Sequence, residues 1–188
     1  MKLIRTTLAG AIAMAAALPL ASHAASDFET GAGALSATAD LTFNVVIPRF
    51  IFLRVGSAVP ATVNTLVFAP TVDEMANSTP ILGTGGDATA SDVTITARGN
   101  AGNMTLAASN PTNLVSGGNN IPITTLTGTN QTGSIGVPAF GGNVALTAGG
   151  NGVFNQTGTW RYSWTNPAAT VYPAGTYVAT ATYTLSAP

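Results

Sequence analysis

The sequence contains no cysteine, so no disulfide can brace it even in an oxidising compartment. Charge is scarce as well, with 6 basic and 7 acidic residues in 188. The only lysine is Lys2 and the only histidine is His23, both within the first 24 residues. Beyond them the bases are Arg49, Arg54, Arg98 and Arg161. They face Asp27, Glu29, Asp40, Asp73, Glu74, Asp87 and Asp92, which leaves residues 25–188 a formal charge of −3. Each absence excludes a class of function. Without His, Cys or Lys there is no Ser–His or Cys–His pair, no Schiff base and no thiolate or imidazole metal cluster. No enzyme, cofactor or metal is therefore expected. Without a basic cluster, nucleic-acid binding lacks its electrostatic footprint. Carboxylates alone remain for acid–base work. Counting leaves a glycosidase-like pair open, but Asp73-Glu74 and Asp87…Asp92 sit beside Pro, Gly and Ser, where solvated loop acids are the ordinary expectation.

The first segment reads MKLIRTTLAGAIAMAAALPLASHA. Lys2 and Arg5 form a positive start, Leu8 to Leu20 an apolar run, and Ser22-His23-Ala24 a small-x-small cleavage site. That pattern predicts a secretory signal peptide over residues 1–24, cut after Ala24. No later apolar run is long enough for a transmembrane helix, so the mature chain is expected to be exported without a membrane span.

What the mature chain has is alternation. In LSATADLTFNVVI the apolar positions are Leu35, Ala37, Ala39, Leu41, Phe43, Val45 and Ile47. Side chains on a strand point to opposite faces with period two, so this pattern predicts one long strand with one apolar face. Typical strands run about five or six residues. Pro48 follows, then Arg49–Val55, apolar on both faces except for its arginines and expected deep in a sheet. Further strands are expected at 63–68, 91–97, 103–108, 121–126, 144–147, 159–165 and 176–186. Turn signals such as LGTGGD, RGNAGN, SGGNN, FGGN and AGGNG separate them. No stretch keeps a helical period. Seven to nine short strands predict one antiparallel all-β sandwich.

Within TWRYSWT, Trp160, Tyr162 and Trp164 share one face and Thr159, Arg161, Ser163 and Thr165 the other. The aromatic face could be a sugar-stacking platform. A sandwich strand of this kind more often turns its aromatics into the core, and that reading is preferred. The sequons at Asn77, Asn103, Asn130 and Asn155 fall where a chain rich in Asn and Thr produces them by chance. The chain ends on a second alternating stretch, Tyr177, Ala179, Ala181, Tyr183 and Leu185, with polar residues and Val178 between.

The order Leu41–Ile47, Pro48, Phe50–Val55 and Gly56-Ser57-Ala58-Val59-Pro60 resembles the start of chaperone–usher fimbrial subunits, closest to the alpha-type (class 5, colonisation-factor) pilins. Pro173-Ala174-Gly175-Thr176-Tyr177, leading into the last strand, resembles their C-terminal end. The middle of the chain carries no family signature. The resemblance implies an immunoglobulin-like sandwich lacking one strand (residues 48–188), completed by the N-terminal extension (residues 25–47) of a neighbouring copy. Leu35, Ala37, Ala39, Leu41, Phe43, Val45 and Ile47 would be the donated face. Tyr177, Ala179, Ala181, Tyr183 and Leu185 would form the groove-edge strand gripped by a periplasmic chaperone. It also implies a filament of identical copies, an outer-membrane usher, export through the periplasm, and a place in a cell-surface fimbria serving adhesion or biofilm formation. The alternative is a self-contained secreted β-sandwich that binds carbohydrate or another surface component.

Overall fold

The computed structural model describes residues 26–59, 63–88 and 92–188. The expected signal peptide lies outside them. The chain divides at Ile47/Pro48 into two units. In the first, residues 26–47 form no helix and no strand, and every one is exposed. The long strand expected over residues 35–47 is therefore absent as a paired element. Alternation chooses a face, but a strand also needs a neighbouring strand for its backbone groups, and among the described residues these pair with none.

The second unit is an antiparallel all-β sandwich. Its strands are β1 (Ile51–Val55), β2 (Leu66–Val67), β3 (Pro80–Leu82), β4 (Thr84–Gly85), β5 (Val93–Gly99), β6 (Met104–Ala108) and β7 (Asn113–Ser116). They continue as β8 (Asn119–Pro122), β9 (Leu126–Thr132), β10 (Asn143–Leu146), β11 (Phe154–Thr165) and β12 (Tyr183–Ser186). One sheet runs β1-β5-β11-β3, with β9 also paired to β11; the other runs β10-β6-β12. Small hairpins β2-β4 and β7-β8 complete the unit.

The 12-residue β11 organises the first sheet. Thr159 and Trp160 pair with β5 and also with β9, and Ser163 and Trp164 with β3 and also with β9. So β5 and β3 share one edge of β11, end to end, while β9 takes the other. The register shifts between Thr159 and Trp160. Just before it, Gly158 leaves room for the neighbouring chain: a Cβ there would lie 2.3 Å from the Thr132 carbonyl oxygen. The core lies between the sheets, where Ile95, Ala97, Trp160 and Tyr162 meet Met104, Leu106, Leu146 and Leu185.

Several elements differ from their expected form. Arg49–Val55 is not deep in a sheet: β1 is an edge strand, and Ile51 and Phe52 are half-exposed. Its run of apolar residues imitates burial on both faces. Of residues 63–68 only Leu66-Val67 pair. Residues 121–126 split, because after Pro122 the chain makes a 3-10 turn at Ile123–Thr125 before β9 begins. The C-terminal strand expected over 176–186 is laddered only at Tyr183–Ser186, with one isolated bridge from Val178 to Val115. No helix among the described residues is long and apolar enough to cross a membrane.

Candidate functional site

β1 and β12 are edge strands of the two sheets and run beside one another. At one end the Arg49 guanidinium donates to the Pro188 carbonyl. Beside them lies an open groove of about 850 Å³, lined mainly by apolar side chains. Leu53 and Val55 of β1, Tyr172 to Ala181 together with Tyr183, and Phe68, Phe140, Tyr162 and Trp164 are among the residues that line it.

The C-terminal wall carries the alternation predicted from sequence. Tyr177, Ala179, Ala181 and Tyr183 are half-buried and Leu185 is buried, whereas Val178, Thr180, Thr182, Thr184 and Ser186 are exposed. The backbone of this segment is bonded on one side only. Val178 exchanges two hydrogen bonds with Val115, each 3.0 Å, and the Ser109 amide donates to the Thr182 carbonyl at 2.8 Å. Backbone groups along an extended chain point alternately left and right, and those of Tyr177, Ala179 and Ala181 make no backbone hydrogen bond among the described residues. The groove thus offers apolar pockets beside a row of free donors and acceptors, the two features that strand addition needs.

The other predicted set, Leu35, Ala37, Ala39, Leu41, Phe43, Val45 and Ile47, is exposed throughout, with Phe43 and Val45 each 82% accessible. A run this apolar left in water is unfavourable by roughly 1.5–3 kcal/mol for each large side chain. Sequence reading did not assign Leu53, Val55, Phe68, Phe140 or Tyr172 to the groove. The alternation of Leu53 and Val55 around Arg54 was a usable signal for the first two. Phe68, Phe140 and Tyr172 lie outside strands, where period carries no information.

Trp160, Tyr162 and Trp164 are inside, between 0% and 8% exposed, so they form core and not an outward platform. The Trp160 indole donates to the Ile135 carbonyl at 2.8 Å and that of Trp164 to Thr125 Oγ1 at 3.0 Å. Burial pushes the Tyr162 and Tyr183 phenols up from their ordinary values.

Three of the acids hold structural contacts. Asp92 takes Arg161 in a two-point ion pair at 2.7 and 3.1 Å. Asp87 accepts the Thr94 amide at 2.7 Å. Glu74 accepts both the amide and the hydroxyl of Thr71, bonds that hold its carboxyl below the usual carboxylate range. Comparison with protein-family models, with characterised proteins and with solved structures finds no match to this chain.

Proposed function

We propose that the protein is a structural subunit of a surface fimbria, polymerised by donor-strand exchange. The N-terminal extension of one copy fills the open groove of the next. The observation that carries this reading is the occurrence, in one chain, of an apolar groove bordered by unpaired backbone and an alternating segment that is exposed along its whole length. Leu41, Phe43, Val45 and Ile47 would enter the pockets, while Thr42 and Asn44 face water. Burying four such side chains is worth roughly 6–12 kcal/mol gross. Donor and acceptor surfaces differ, so the contact is heterologous and propagates as a filament.

An open groove with free strand edges is also an aggregation hazard before assembly. A periplasmic chaperone that lends a strand to the same groove, pairing along Tyr177 to Leu185, removes that hazard, and an outer-membrane usher then exchanges it for the incoming subunit. The carbohydrate-binding alternative loses its best candidate platform, because Trp160, Tyr162 and Trp164 are buried.

Co-expression with and without a chaperone of this class tests the proposal. The subunit should accumulate only with the chaperone and co-purify with it. Folded wild-type subunit at full yield in cells lacking any such chaperone would overturn it.

A further inference from the structure

The charge of the chain is unevenly divided. Residues 25–47 carry Asp27, Glu29 and Asp40 and no base, while residues 48–188 set four arginines against four acids. The whole formal charge of −3 therefore belongs to the extension. On the sandwich, the outer face of the β1–β5 pair gathers two aromatics and two cations. Leu53 and Val55 pack against the core, so Phe52 and Arg54 between and beside them turn outward. Phe52 lies opposite Arg98 in the ladder and Arg54 opposite Thr96. Phe50 and Phe52 are 49% and 44% exposed. Arg54 reaches Thr96 Oγ1 at 3.1 Å, but its Nε is enclosed without a partner. Arg98 is exposed, and the ion pair found among the described residues belongs to Arg161.

An aromatic and cationic patch is complementary to a ligand that is aromatic and anionic. The chain contains one in Asp27-Phe28-Glu29, where Phe28 is 86% exposed and Glu29, among the described residues, accepts only the Ser36 amide, at 3.4 Å. We propose that Asp27-Phe28-Glu29 of one copy docks on Phe52, Arg54 and Arg98 of the next. A carboxylate on the exposed Arg98 guanidinium, the positive field of Arg54 and a ring over arginine or phenylalanine supply the contact. The inference rests on the strand-exchange reading, since a donated strand brings the rest of its own extension to the acceptor. From Leu41 back to Phe28 the chain can span roughly 45 Å, enough to pass around the β1 edge. The triplet would act as a second clamp behind the donated strand.

The absence of native cysteine makes a cross-linking test clean. Thr30→Cys is placed in one tagged copy and Asn155→Cys in another. Asn155 is exposed and lies opposite Arg98, and neither residue belongs to the proposed contact. Copies are mixed during assembly and oxidised, and the mixed dimer is quantified by its two tags. The mixed cross-link should form. Arg54→Glu with Arg98→Glu in the acceptor should lower its yield about tenfold, and Asp27→Arg with Glu29→Arg in the donor should restore it. Normal denaturant-resistant polymers without the cross-link, or with a yield indifferent to charge reversal, would overturn the docking while leaving strand exchange intact. Failure to form polymers at all removes strand exchange, and the docking with it. A chain carrying both cysteines, assembled undiluted and oxidised, should give covalent multimers on a boiled non-reducing gel; a bond confined to its own chain overturns the assignment to a second copy.

Discussion

The hydroxyls of Tyr162 on β11 and Tyr183 on β12 lie 2.6 Å apart, one hydrogen bond joining the two sheets at the wall of the groove. Burial raises both phenols, and for Tyr162 the neighbouring Tyr183 adds to the rise. A group whose pKa is higher folded than unfolded contributes stability that is full below the unfolded value and is lost as pH rises. Here the unfolded value is the ordinary phenol value of 10.0. Denaturation midpoints should therefore hold steady to about pH 9 and fall above about pH 10. Tyr183→Phe should cost about 1–3 kcal/mol at neutral pH by leaving a buried hydroxyl unpartnered. Phenol absorbance of the folded protein checks the sign: all four tyrosines titrating at the ordinary pH would contradict it.

Phe43→Asp or Val45→Asp should block assembly while leaving export intact, because a carboxylate seated in an apolar pocket is desolvated without a partner at a cost of several kcal/mol. Thr42→Asp should be tolerated. Polymer yield on unboiled gels measures all three, and equal effects at positions 42 and 43 would refute the donated face.

Tyr183→Ala and Leu185→Ala should each cost roughly 2–4 kcal/mol and lower subunit levels in the periplasm. A chain ending at Tyr177 should fail to co-purify with a periplasmic chaperone, since it lacks the edge along which the chaperone strand would pair. Retention of the complex by the truncated chain would count against this edge.

Trp160→Ala should cost roughly 3–5 kcal/mol, as it empties a fully buried site and abandons the bond to Ile135. Tryptophan fluorescence should not respond to added oligosaccharides. A saturable response would return the aromatic strand to a binding role.

The legible parts of the fold were those where burial is one-sided. Period two marked the inward faces at Trp160, Tyr162 and Trp164 and at Tyr177 to Leu185, because each segment has one face on the core and one on water. Period two failed where pairing is decided from elsewhere. The first half of β11, Asn155-Gln156-Thr157-Gly158, lies outside the strand expected at 159–165 and is a strand because β5 holds it from Arg98 to Ile95. The β7-β8 hairpin hides in polar Asn119-Asn120 around Gly117-Gly118. β1 reads as central and is an edge. The groove was legible along its C-terminal wall and not at Phe68, Phe140 or Tyr172, which loops bring to it.

A chain of residues 25–188 run on a gel without boiling, beside a variant lacking residues 25–47, tests strand exchange most directly. The account predicts a ladder of denaturant-resistant multimers from the wild type that collapses on boiling. The deletion variant should form no ladder and should depend on a chaperone for its solubility. A deletion variant that is a stable, soluble monomer without any chaperone would contradict it.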